Sequence, residues 1–332
     1  MSVIPDALYH LGGIPVGGIQ TWDVGNIYFV IDPDHPQYND FMKQRQTGSY
    51  ANDGTSMVHS TIQAALNATV TERNDYVVVV PHPHTGVYID HTAALTMTKN
   101  RVHLICPSNF GLDGMGFKSP VINHYGTATT AAITLSGHNC EIGGLLFRSA
   151  NNKDTIDVGS GTQGLNVHDN FFGMSSSDGS TNKAIDASVV HYFNIHNNHF
   201  TNFNPGAMTS TDNDLEYFIY ISSSSSTRGR IVNNTMCTGN NTEVTAAISV
   251  NGSDLLIRGN VMWETSALGA AEAGTLTAGI IYTNGNGLVI DNRIAITDTS
   301  AAISVSGAAA VKAVACINNY SSLDGGTIVT GG

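Results

Sequence analysis

Residues 193–200 read FNIHNNHF, and the stretch has two readings. His196 and His199 are three positions apart, the spacing of half a zinc site, and imidazole is a common ligand of that metal. A recurrence of the stretch elsewhere would instead make it one unit of a repeat.

It recurs. LNVHDNFF (165–172), GRIVNNTM (229–236), LLIRGNVM (255–262), LVIDNRI (288–294) and VACINNY (314–320) share its alternating apolar residues, polar pair and Asn, followed by apolar or aromatic residues. The recurring Asn falls at Asn170, Asn198, Asn234, Asn260, Asn292 and Asn319, with gaps of 28, 36, 26, 32 and 27. A second series, AAITLSG, DTIDVGS, KAIDASV, FIYISSS, AAISVNG, GIIYTNG and AAISVSG, places Ile133, Ile156, Ile185, Ile219, Ile248, Ile280 and Ile303 in short alternating runs. From each Ile to the next marker, taking Leu145 as the first, the distance is 12 to 16 residues, whereas the return arc runs from 11 to 21. Each unit therefore reads as two short strands, with insertions confined to the return side.

Such a unit cannot build a core alone but can by stacking, which selects a solenoid. In a parallel β-helix successive turns stack about 4.8 Å apart, so roughly eight turns give a rod of about 40 Å. The six Asn then read as corner residues, tolerant of left-handed backbone and able to bond to one another up the axis as a ladder. His196 is expected to point outward in register with His168 one turn below, while His199 follows the corner. Nothing supplies further ligands at fixed spacing, so neither a metal nor a cofactor is expected.

Composition fits a turn-rich β protein: 12% charged residues and 35 Gly. The net charge of −12, with only 14 Lys and Arg, argues against a nucleic-acid partner. Cys106, Cys140, Cys237 and Cys316 show no disulfide or zinc spacing and read as small core residues. The opening MSVIPDALYHLGGIPVGGIQ lacks a positive start and is interrupted by Asp6 and His10, so it reads as neither signal peptide nor membrane span, and synthesis in a cytoplasm is expected.

The first third is organised differently. GNIYFVID (25–32) reads as a strand and residues 33–56 as a long loop. MVHSTIQAALNATV (57–70) reads as a helix with Ser60 as N-cap and Ile62, Ala65 and Leu66 on one apolar face, and DYVVVVP (75–81) as a buried strand. A short helix at the N-terminal end would shield the first unpaired edge. The division is 1–55 as arm and first strand, an attachment segment, and 56–332 as β-helix.

Several of these stretches resemble known families. STIQAALNA, then YVVVVPHPHTGVYI and NRVHLICPS, look like the opening of pectate-lyase-like right-handed parallel β-helix proteins. GNIYFVID, ANDGTS and TATTAAITLSGHNCEIGGLLFRSA resemble, over about residues 10–150, β-helical virion proteins of tailed bacteriophages. That resemblance implies an all-β right-handed parallel β-helix with a capping helix and an N-terminal attachment arm, on the virion surface as capsid decoration, head fibre or tail-associated spike. It implies a homotrimer, contacts with other virion proteins through the arm, and possible binding of host-surface glycans, without membrane insertion.

The alternative is a glycan-depolymerising tailspike, hydrolase or lyase, and a second is a cell-surface adhesin or filament subunit. Enzyme chemistry needs paired carboxylates on the rod surface. Asp157 and Asp186 follow Ile156 and Ile185 at the same place in successive turns, so they are the weak catalytic candidates. His168, Asp169 and His196 are read as sharing that outer surface and facing glycan. No Lys or Arg repeats near the pair, which counts against a lyase. Tyr192, Phe200, Phe203 and Tyr217 suit either sugar stacking or packing, with packing preferred.

Overall fold

Ile133, Ile156, Ile185, Ile219, Ile248, Ile280 and Ile303 stand in one column, each in register with the next, and Leu95 precedes them. The computed structural model describes residues 25–36, 38–40, 57–80, 88–90, 95–106, 121–124, 130–149, 153–174, 182–202, 215–238, 243–264, 275–296, 302–306, 314–321 and 328–330. Residues 1–24, Phe203 and the core of the 264–277 insertion lie outside them.

The isoleucine column belongs to one of three long sheets, of 11, 9 and 9 strands, every pairing of which is parallel. The chain visits them in rotation. Asn166–His168 lies in the first sheet, Phe171–Met174 in the second, Asn182–Ala187 in the third, and Asn194–His196 returns to the first beside Asn166–His168. Parallel neighbours need a crossover, and here each crossover is the rest of the turn. The fold is a right-handed parallel β-helix, the hand that twisted parallel strands impose.

Two expectations change. The repeating turn holds three strands, because the Asn marker spans a corner with a strand on either side, as in Asn194–His196 and His199–Asn202, and two successive turns add a short fourth strand, Thr162–Gln163 paired with Val190–His191. The second and third sheets each stack nine strands, against the roughly eight turns expected from the repeat. The variable return arcs run from second sheet to third.

Inward residues form continuous columns. In the first sheet these are Val77, Leu104, Ile142, Val167, Ile195, Ile231, Ile257 and Val289, all essentially unexposed. In the second, Phe147, Phe172 and Phe200 stack with centroids 4.9 and 4.6 Å apart, and Met236, Met262 and Ile294 continue the column. Registered stacking lets each side chain bury its faces against the same position above and below, which close packing rewards. Phe200, one of the candidate stacking aromatics, is wholly within this core.

The N-terminal end is closed by the helix Ile62–Ala68, whose buried residues are Ile62, Ala65 and Leu66. Its N-cap is Thr61, not Ser60: Thr61 Oγ1 accepts from Ala64 N at 3.2 Å. The hydroxyl one residue later has the extended backbone that capping requires. Gln63 Oε1 accepts from Thr96 N at 2.8 Å, satisfying a donor on the first strand of the third sheet. Lys99 Nζ donates to the Asn67 carbonyl at 2.7 Å and to the Leu66 and Thr69 carbonyls, closing the other helix end. The first sheet reaches further, with Ile27–Val30 between Val58–His59 and Asp75–Val79. Asp75, fully buried, accepts from Asn26 N and Val70 N, both at 2.7 Å, and pairs with Arg73 at 2.7 Å.

Candidate functional site

At the corner between first and second sheets the six Asn form one ladder. Asn170 Nδ2 donates to Asn198 Oδ1 at 3.0 Å, Asn198 to Asn234 at 3.0 Å, Asn234 to Asn260 at 3.0 Å, Asn260 to Asn292 at 2.9 Å and Asn292 to Asn319 at 2.9 Å. Each Oδ1 also accepts the backbone N–H of the Asn below, and Asn170 Oδ1 takes Leu145 N at the head of the series. The left-handed backbone sits one residue earlier than expected, at Asp169, Asn197, Asn233, Gly259, Asp291 and Asn318. Those residue types enter that region most easily. The turn residue and the ladder residue are thus separate adjacent positions. Five of the Asn are buried, so the ladder is scaffold, not contact surface.

On the outer face of the first sheet, Glu141 bridges three turns. Its Oε2 lies 2.7 Å from His103 Nδ1 and its Oε1 2.7 Å from His168 Nε2, while His168 Nδ1 lies 2.8 Å from Asp169 Oδ2. His168 stacks on His196 at 5.1 Å. Although burial opposes both charges, the two imidazoles pull the Glu141 carboxyl down to about 2, and the two carboxylates push His168 up to about 9. His196 is lowered by burial and by the His168 charge. A Cβ on Gly143 would come within 2.7 Å of the His168 ring, so glycine there makes the space for the clamp.

His168, Asp169 and His196 do not share a surface with Asp157 and Asp186. His168 and His196 are on the first sheet with Asp169 at its corner, and the two Asp are on the third. His199 is apart from His196, in the second sheet, stacked on Phe171 at 4.9 Å. Among the described residues no group of three or more His, Cys, Asp or Glu is arranged to hold a metal ion.

The third sheet carries a more concentrated array. Asp157 and Asp186 are partners on adjacent strands, and Tyr220 is the next member of their column. Three residues before each stand Asp154, Lys183 and Tyr217. Between the members of each pair, two consecutive residues are buried: Thr155 and Ile156, Ala184 and Ile185, Phe218 and Ile219. Two inward residues in succession break period-two alternation and bend the strand, so the flanking outward side chains converge. Lys183 Nζ reaches Asp186 Oδ2 at 3.2 Å, and Tyr217 stacks on Tyr220 at 4.7 Å. Lys183 also lies 3.9 Å from Glu216 and 5.1 Å from the Tyr220 ring centre.

These polar and aromatic pairs occupy three consecutive turns. The same two positions hold Ala131 and Thr134 on the turn below, and Ala246 and Ser249 on the turn above. Burial, with Asp186 nearby, raises the Asp154 carboxyl to about 6 and raises Asp157 as well. Burial and the adjacent Glu216 push the Tyr217 phenol up to about 12.

Sequence reasoning found Asp157, Asp186 and Tyr217 but missed Asp154, Lys183, Glu216 and Tyr220. The signal was the residue two before each column Ile, in DTID, KAID and YFIY. No Lys or Arg repeats along this column, and one cation, Lys183, does lie on the pair, with Nζ 3.2 Å from Asp186 Oδ2. Tyr217 is part of the array, stacked on Tyr220 and half-exposed. Tyr192 is 53% exposed, with the Arg228 guanidinium 5.3 Å from its ring centre.

The molecule is thus a right-handed parallel β-helix protein with a side-chain array on one lateral face. No family model matches the chain, and no curated protein does. It is similar to the crystal structure of DFA-IIIase from Arthrobacter chlorophenolicus A6 in complex with GF2, with a TM-score of 0.29 and 11% identity over 92% of this chain and 82% of that one. A likeness of that size has no bearing on what this chain binds or does.

Proposed function

We propose that this protein is a rod-like structural component on the surface of a tailed-bacteriophage particle, which touches host-surface glycan through the third-sheet array. The array carries the glycan part of the reading. A stacked tyrosine pair offers an apolar face to sugar C–H groups, and the carboxylates and ammonium beside it can bond to ring hydroxyls. Nothing in stacking the core requires these residues, since the turns above and below manage with Ala, Thr and Ser.

The virion setting rests on the resemblance of residues 10–150, as do self-association as a homotrimer and attachment through the N-terminal segment. Electron microscopy of source particles labelled with an antibody to this chain tests it. Label on heads or tails is expected; label confined to cell-derived filaments would overturn it. The array is tested by glycan binding, which Tyr220→Ala should abolish without changing the melting temperature by more than a few degrees.

A second reading, glycan depolymerisation, is favoured by the registered Asp157 and Asp186. Adjacent strands place such residues about 5 Å apart, near the carboxyl separation of a retaining glycosidase. Asp157, with its raised carboxyl, would serve as acid and Asp186, paired with Lys183, as nucleophile. Cleavage lost in both Asp157→Asn and Asp186→Asn would support it, and cleavage unchanged in both would remove it.

A further inference from the structure

The array also carries information about the charge of its ligand. Asp154, Asp157, Asp186 and Glu216 contribute four carboxyl groups against the single ammonium of Lys183, a formal charge of −3 when all are ionised. That ammonium is already engaged, 3.2 Å from Asp186, 3.9 Å from Glu216 and beside the Tyr220 ring. No described Arg or other Lys forms an ion pair with any of the four carboxyl groups.

We infer that the tyrosine-lined array selects glycans bearing free amino groups, glucosamine-type units, over neutral sugars, and rejects uronate-containing chains. This rests on the reading of the array as a glycan contact. An ammonium on a sugar stacked against Tyr217 or Tyr220 would fall among carboxylates that lack a second cation. A uronate carboxylate would meet the same groups as a like charge, with only an occupied lysine to receive it. Burial raises the Asp154 and Asp157 carboxyls, and the neighbouring Asp186 raises both further while Lys183 opposes the shift. A neutral sugar gains the stacking but not the charge pairing.

The discriminating experiment is calorimetric titration of the full chain, at pH 7 and low salt, with three trisaccharide probes: β-1,4-linked glucosamine, its N-acetylated form, and galacturonate. The glucosamine trimer is expected to bind about tenfold or more tightly than the acetylated one, a difference of about 1.4 kcal/mol, with no binding of the uronate. The preference should shrink as salt is raised. Lys183→Met should strengthen glucosamine binding severalfold, and Asp157→Asn should weaken it. Tyr220→Ala should abolish binding of every probe that binds. Uronate binding as tight as glucosamine binding, and sensitive to Tyr220→Ala, would overturn the selectivity while leaving the glycan contact standing. Absence of binding by all three probes, or binding indifferent to Tyr220→Ala, would overturn both.

Discussion

Asn198 Oδ1 accepts from both the backbone N and the side-chain Nδ2 of Asn170, at 3.1 and 3.0 Å, although the two residues are 28 positions apart in the chain. Asn198 Nδ2 in turn donates to Val167 O at 2.9 Å and to Asn234 Oδ1 at 3.0 Å. One side chain therefore ties its own turn to buried groups on the turns before and after it, where water cannot replace it. Asn198→Ala should cost about 2–4 kcal/mol in chemical denaturation, because it orphans the buried Asn170 N–H and removes the ladder bonds to Asn170 Nδ2 and Asn234 Oδ1. Asn198→Asp should cost at least as much above its titration range. The carboxylate keeps the accepting oxygen but turns the donor into a second acceptor facing Val167 O and Asn234 Oδ1. An Asp variant as stable as wild type at neutral pH would refute the donor role.

The Glu141–His168 pair predicts an acid and an alkaline limb in stability. The folded Glu141 carboxyl is depressed to about 2, so its contribution is complete above its ordinary range near 4.5 and is lost as pH falls toward 2. The folded His168 is raised to about 9, so its contribution is complete below about 6.5 and is lost as pH rises through 9. Their joint contribution is greatest between about pH 4.5 and 6.5. Melting temperature measured against pH should show both limbs, and Glu141→Gln should flatten both. Gly143→Ala should have a related effect, since its Cβ would displace the His168 ring.

At the N-terminal end the cap assignment can be separated by two neighbouring substitutions. Thr61→Ala removes the acceptor for Ala64 N and should destabilise the chain by about 1 kcal/mol in denaturant titration. Ser60 supplies no cap bond, so Ser60→Ala should be near neutral. The reverse order would restore Ser60 as the cap.

The reach of the sequence differs between positions for physical reasons. The isoleucine and asparagine columns were legible because a stacked position meets its own copy above and below, which favours one residue type throughout. The left-handed corner was not, because Asp169, Asn197 and Gly259 satisfy the same backbone geometry with three different letters. For the same reason the marker reads as one strand and a corner where two strands meet. The array was half legible. Asp157 and Asp186 obey period-two alternation after the column Ile, whereas Asp154, Lys183 and Tyr217 lie across a bend where that alternation fails. Thr61 and Ser60 are equivalent in the sequence because adjacent hydroxyls differ as caps only in backbone angles that the sequence does not display.

Asp154 gives the array a stability signature independent of any ligand. Its carboxyl is raised to about 6, so the folded state holds that proton more tightly than the unfolded chain does. Stability is accordingly lost as pH rises from about 4 through 6, and the ionised side chain is a burden at neutral pH. Asn at this position keeps an oxygen to accept from Lys183 N, as Asp154 Oδ1 does at 2.8 Å, and carries no charge. It also removes one member of the acidic group that crowds Asp157 and Asp186. Asp154→Asn should therefore raise the melting temperature by roughly 2–4 °C at pH 7.5 and leave it nearly unchanged at pH 4. Equal shifts at the two pH values would mean that hydrogen bonding rather than charge governs the site. A loss at pH 7.5 would mean that Lys183 needs the Asp154 charge more than burial opposes it.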